Sequence, residues 1–79
     1  MFYTYVLRSK KDGWLYIGWS IDLRHRLEQH NNGLVKATKY RLPMELIYYE
    51  ACMSEENAIA REKQLKTGFG RAYLKRRLG

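Results

Sequence analysis

Apolar and polar positions alternate along the first third of the chain. Phe2 to Arg8 is rich in aromatic and β-branched residues and predicts a strand. Ser9-Lys10-Lys11-Asp12-Gly13 is turn material ending in Asp-Gly, and Trp14 to Trp19 predicts the return strand of a hairpin. Loop length then decides which side chains meet. With a four-residue loop, Lys10 to Gly13, Ser9 opposes Trp14 and Leu7 opposes Tyr16. Tyr5 and Tyr16 then share one face as diagonal neighbours roughly 7 Å apart. A two-residue Asp12-Gly13 loop keeps them on one face but farther apart. The other face, with Phe2, Thr4, Val6, Leu15, Ile17 and Trp19, is the expected core surface.

The period then lengthens to that of a helix. Ser20 or Asp22 can cap it, and Gly33 is a natural stop, so the helix is expected to run to about Asn32-Gly33. At about 100° per residue, Leu23 and Leu27 set the buried direction. His30 falls within that stripe and Arg26 on its border, while Arg24, His25, Glu28 and Gln29 point away. Lys36 to Pro43 predicts a basic loop and Glu45 to Glu50 a third strand. Ser54 caps a second helix, with Glu55 and Glu56 suiting its positive end. Ala58, Ile59 and Leu65 mark its apolar side, and Glu62 lies in the middle of that stripe. A carboxylate there needs an Arg, a Lys or a metal, because desolvating it alone is costly. Gly68-Phe69-Gly70 predicts a break, and Arg71 to Leu78 a short basic helix anchored by Leu74 and Leu78. The order is β-β-α-β-α-α, an α+β domain with a three-stranded antiparallel sheet flanked by helices.

Composition narrows the possibilities. The chain has 79 residues and is 46% hydrophobic, with seven tyrosines and two tryptophans, enough for one compact domain over residues 1–79. The single cysteine, Cys52, leaves no internal disulfide, and one cysteine with two histidines does not make a structural zinc site. No basic-then-apolar leader and no membrane-length apolar run is visible, so the expectation is a cytoplasmic protein with no membrane association. The net charge is +7 and unevenly placed: no acid lies between Glu28 and Glu45, and none follows Glu62. Acid-free basic stretches interleaved with Tyr40, Phe69 and Tyr73 favour a polyanionic partner, nucleic acid. Lys36, Lys39, Arg41, Arg71, Lys75 and Arg76 are the candidate phosphate contacts.

A tyrosine ending a strand, then an arginine and a histidine one turn apart on a helix, places a phenol, a guanidinium and an imidazole toward one pocket. Those groups, with Glu62 as a possible metal ligand, suit phosphodiester hydrolysis, which needs an activated water and charge neutralisation at the phosphorus. The same residues resemble the GIY-YIG nuclease domain. Tyr16-Ile17-Gly18 is similar to its second name-giving motif, and Tyr3-Thr4-Tyr5 stands where the first belongs, with Tyr5 eleven residues before Tyr16. Arg26 comes ten residues after Tyr16 and His30 four later, and Glu62 lies within Ala60-Arg61-Glu62-Lys63. The likeness spans essentially the whole chain. It is closest in kind to short single-domain bacterial members, which resemble the N-terminal incision domain of the nucleotide-excision-repair nuclease subunit. The first motif lacks its Gly and Ile, Trp19 stands where some repair members carry a lysine, and no asparagine follows Glu62.

The resemblance implies a metal-dependent DNA endonuclease, one expected to be structure-selective and linked to repair or recombination. In it Tyr16 is the general base or orients the water, Arg26 holds the scissile phosphate, and His30 relays the proton. Tyr5 hydrogen-bonds within the site, and Glu62 binds one Mg²⁺ or Mn²⁺. A free phenol titrates near pH 10, so a tyrosine base needs a positive neighbour. The departures leave two competing readings. One is a nucleic-acid-binding module without turnover; the other is an accessory protein of a repair complex, acting through a protein partner or as a homodimer.

Overall fold

The computed structural model describes residues 1–78. Strand β1 (Phe2–Ser9) is central, paired antiparallel with β2 (Leu15–Ser20) on one side and β3 (Met44–Cys52) on the other. Helices α1 (Leu23–Asn31), α2 (Glu55–Leu65) and α3 (Gly68–Leu78) complete the expected β-β-α-β-α-α order. The hairpin has the four-residue loop. Leu7 opposes Tyr16 and Tyr5 opposes Gly18, and the turn closes through Ser9 N–H to the Trp14 carbonyl at 2.9 Å. Gly13 supplies the positive φ of +77° that this turn requires.

The sequence predicts one core face, but the sheet has two. Tyr5, Leu7 and Met44 are buried with Leu23, Leu27, Leu42 and Leu46 on the α1 side. Val6, Leu65 and Leu74 are buried with Ile17, Ile47, Tyr48 and Tyr73 on the α2–α3 side. A central strand with helices over both faces buries both of its parities, and tyrosines on the first face make it read as half-polar. Leu15, expected in the core, lies at the turn end of β2 and remains 39% exposed. A bulge in β3 sorts its residues between the faces. Leu7 pairs with Leu46 and Val6 with Tyr48, so the extra residue, Ile47, joins Tyr48 on the α2–α3 side.

Capping behaves as its chemistry dictates. Asp22 is the N-cap of α1, accepting from the His25 N–H, while Ser20 accepts from the Asp22 N–H. At the other end of α1, the Asn31 side chain acts like a strand residue. It donates to the Met44 carbonyl at 3.0 Å and accepts from the Met44 N–H at 2.7 Å, fastening α1 to the start of β3. Ser54 caps α2 through the Asn57 N–H.

Helix α3 departs from expectation by starting at Gly68 rather than Arg71. Gly70 is not a breaker here. A Cβ on it would stand 2.3 Å from Leu65 Cα, so glycine is what lets the first turn of α3 press onto the end of α2. Thr67 Oγ1 accepts from the Gly70 N–H at 3.2 Å. Leu74 is buried as expected, but Leu78 stays 38% exposed and does not anchor the helix. No helix among the described residues is long and apolar enough to cross a membrane.

Candidate active site

Glycine in Tyr16-Ile17-Gly18 has a steric purpose. Gly18 sits opposite Tyr5, and a Cβ at Gly18 would lie 2.6 Å from the Tyr5 hydroxyl and 2.8 Å from its Cζ. With no side chain in the way, the Tyr5 phenol crosses over β2 and reaches α1. There its hydroxyl bonds His30 Nε2 at 2.9 Å. The Tyr16 ring, two residues from Gly18 on the same face, meets the His30 imidazole edge-on with centroids 4.9 Å apart. The two tyrosine rings lie 6.3 Å apart, as neighbours across the hairpin should.

His30 is fully buried, and both of its nitrogens are engaged. Nδ1 bonds Thr38 Oγ1 at 2.8 Å, and the Thr38 hydroxyl in turn reaches the Val35 carbonyl at 3.4 Å. If Thr38 donates to Val35, it accepts Nδ1–H, and Nε2 is left to accept the Tyr5 proton. Burial, aided by the nearby Arg26 charge, pushes the imidazole down to about 4, so it is neutral at physiological pH. Burial also pushes the Tyr5 phenol up to about 12 against the opposing pull of Arg26, so Tyr5 keeps its proton. The direct proton relay expected of His30 has no solvent-facing nitrogen to work through. Tyr16, by contrast, is only half-buried and is the phenol of this pair that reaches the surface.

Arg26 occupies the border position its helical angle predicts and is half-buried. Its Nη1 donates to Gln29 Oε1 at 3.1 Å. Gln29 was expected to face away; instead it is half-buried beside Arg26, because residues three apart on a helix are neighbours. Among the described residues, the five ion pairs leave Arg26 without a carboxylate. Glu62 meets the need for a cation with Lys66, one helical turn on, at 3.5 Å. Its side chain is 18% exposed, and its charge adds to the upward push on the Tyr5 phenol. No group of three or more His, Cys, Asp or Glu side chains able to hold a metal occurs among the described residues.

The basic residues divide. Lys36, Lys39, Arg71, Lys75 and Arg76 are exposed. Arg41 is committed within the protein: it pairs with Asp12 at 2.5 Å and lies over the Trp14 ring, 4.2 Å from its centroid. Together with the Ser9 hydroxyl bonded to the Arg41 carbonyl, these contacts tie the hairpin turn to the loop that carries Thr38. Thr38 itself escapes sequence reading. It lies in a basic loop with no periodicity to mark it as buried.

A strand tyrosine thus meets a helical histidine edge-on, near an arginine that has no carboxylate partner among the described residues. A profile of the GIY-YIG catalytic domain matches residues 1–77, and the chain belongs to that family of nuclease domains. Its relatives include UPF0213 proteins. The one from Staphylococcus saprophyticus is 41% identical over 66 residues, covering 82% of this chain and 79% of that protein. The one from Pediococcus pentosaceus is 46% identical over 66 residues, covering 82% and 68% respectively. The solution NMR structure of the UPF0213 protein from Bacillus halodurans is similar at 32% identity with a TM-score of 0.56, covering 94% of this chain and 82% of that one.

Proposed function

We propose that this single domain is a divalent-metal-dependent endonuclease that hydrolyses phosphodiester bonds in DNA, selecting structure over sequence. The observation that carries this reading is Arg26, a half-buried guanidinium with no carboxylate partner among the described residues. Desolvating such a group is costly unless an anion completes it, and a phosphate fits its planar fork. Arg26 holds the scissile phosphate and offsets the charge that develops on it. Tyr16, the half-buried phenol, orients or deprotonates the attacking water. Tyr5 and His30 do not exchange protons with solvent. They form a neutral, hydrogen-bonded wall that fixes Tyr16 from behind and keeps Arg26 the dominant local charge. Thr38 sets the imidazole tautomer.

A lone carboxylate fits Mg²⁺ or Mn²⁺, since a hard cation of this kind uses one or two protein carboxylates, substrate phosphate and waters. Glu62 would hold it, releasing Lys66 to the substrate. When bound, the metal supplies charge neutralisation at the leaving and non-bridging oxygens. The exposed Lys36, Lys39, Arg71, Lys75 and Arg76 supply affinity through phosphates without reading bases. The Glu62–Lys66 pair also favours a second reading, a binding module without turnover, in which that pair is permanent.

End-labelled linear, nicked, flapped and four-way-junction DNA, incubated with Mg²⁺, Mn²⁺ or EDTA, separates the two. Metal-dependent cutting that disappears in identically purified Glu62→Gln and Arg26→Ala proteins supports the nuclease. Salt-sensitive binding with no cutting of any of the four in either metal supports the binding module.

A further inference from the structure

We propose that a cleft between α3 and the hairpin end of the sheet, reaching Tyr16 on the outer strand β2, receives one unpaired nucleotide of the nucleic acid. The sheet order β2-β1-β3 leaves the outer edge of β2 without a partner strand. From β2 across to α3, with Arg8 of β1 and Ile47 of β3 also in its lining, runs a cleft of about 840 Å³, within the size range of pockets that hold small ligands. Tyr16 lines it, so the cleft adjoins the candidate reacting group. Its apolar lining includes Leu15, Ile47 and Leu78, and Leu15 and Leu78 are 39% and 38% exposed. Trp14 adds an aromatic surface at the same end.

Charge on this lining is of one sign. Arg8, Lys66, Arg71 and Lys75 contribute to it, and no acidic residue does. Arg8 and Lys66 have carboxylate partners in Glu45 and Glu62. Arg71 and Lys75, one helical turn apart on α3, have none among the described residues. Apolar surface bordered by unpaired cations matches a nucleotide, whose base has apolar faces and whose phosphate is anionic. A base inside a duplex keeps its faces stacked on its neighbours. Only an unpaired one, in a flap, an overhang or a bulge, can offer a face to Leu15 and Leu78. The inference rests on the proposed reading of Tyr16 only for the choice of a nucleic acid over an acidic peptide.

The test is equilibrium binding in EDTA, where turnover plays no part, of a fluorescent DNA hairpin with a short single-stranded extension and of the same hairpin with a blunt end. The wild-type protein is expected to bind the extended hairpin about tenfold more tightly, a stacking-sized effect. Leu15→Ser with Leu78→Ser, at two partly exposed positions, is expected to abolish that preference while blunt-hairpin affinity stays. Arg71→Gln with Lys75→Gln is expected to weaken both DNAs and lower the salt slope by about two. Equal wild-type affinity for the two hairpins overturns the proposal, as does a preference that survives the double serine variant with its circular dichroism unchanged. Displacement of the extended hairpin by polyglutamate as readily as by single-stranded DNA overturns it in favour of an acidic protein partner. A protein that keeps the preference but cleaves nothing refutes the nuclease reading and leaves this one standing.

Discussion

Each face of the sheet carries a cluster of tyrosines and arginines, and the two have opposite electrostatic endings. On the α2–α3 side, Tyr48 bonds Glu50 and Tyr73, and Arg61 grips Glu50 through Nε and Nη2 at 2.9 to 3.1 Å while lying over the Tyr73 ring. Burial raises the Glu50 carboxyl, but hydrogen bonds from Arg61 and Tyr48 outweigh it and hold the group below its ordinary range. This cluster contains its own anion and is complete. On the α1 side, Tyr5 and His30 are held neutral by burial, and Arg26 donates to the Gln29 amide oxygen rather than to a carboxylate. That cluster is one anion short. Similar residue types thus make a structural clamp when a carboxylate is included, and leave an unmatched guanidinium, the proposed phosphate receptor, when it is left out.

The sharpest contrast is between Arg26→Ala and Arg61→Ala. Removing Arg26 is expected to lower the single-turnover cleavage rate by about 10²–10³-fold, the scale for losing one group that stabilises transition-state charge. Urea stability should change little. Arg61→Ala is expected to do the reverse, costing about 1–2 kcal/mol by urea titration and leaving the cleavage rate within about twofold. Equal kinetic damage from both would erase the distinction between clamp and receptor.

Protonation probes the receptor side. His30 titrates near 6.5 when unfolded and at about 4 in the fold, so the unfolded chain binds the extra proton between those values. Its contribution to stability is therefore fully present above about pH 6.5 and is lost as pH falls toward 4, amounting to roughly 3 kcal/mol. Urea midpoints for wild type and His30→Gln should converge over that window. A constant gap between them would mean that His30 is not buried in its neutral form.

The clamp side is probed by packing. Gly70→Ala places a methyl against Leu65 backbone that cannot swing aside, and is expected to cost about 1–3 kcal/mol in thermal or urea unfolding. The smallest effect is expected from Thr38→Val, which leaves His30 Nδ1 unpaired. About 1–2 kcal/mol of stability and up to about tenfold in rate should be lost, both restored by Thr38→Ser. Failure of serine to restore the rate would reduce Thr38 to a packing residue.

Much of this was legible from residue order. Both loop lengths that the Asp12-Gly13 turn allows put Tyr5 and Tyr16 on one face, and the structure selects the four-residue loop. Helical angles placed Arg26 at a border and His30 inside, because those angles depend only on spacing along α1. What escaped depends on contacts between elements. Gly70 reads as a breaker until α2 is known to lie against it. Thr38 and Arg41 sit in a loop whose fold is dictated by a hairpin roughly thirty residues earlier, at Ser9, Asp12 and Trp14. The second core face was hidden because tyrosine side chains supply apolar bulk under a polar name.

An arginine with no carboxylate of its own does not distinguish the phosphate of a substrate from other tetrahedral oxyanions. Inorganic phosphate and sulfate compete for such a group, and so does the terminal phosphate of a cut strand. If Arg26 holds the substrate phosphate as proposed, the same unmatched charge is expected to hold the phosphate of a cut strand as well. On the proposed reading of Arg26, release of a product phosphate is expected to limit turnover, and inorganic phosphate or sulfate added to a cleavage assay is expected to inhibit it.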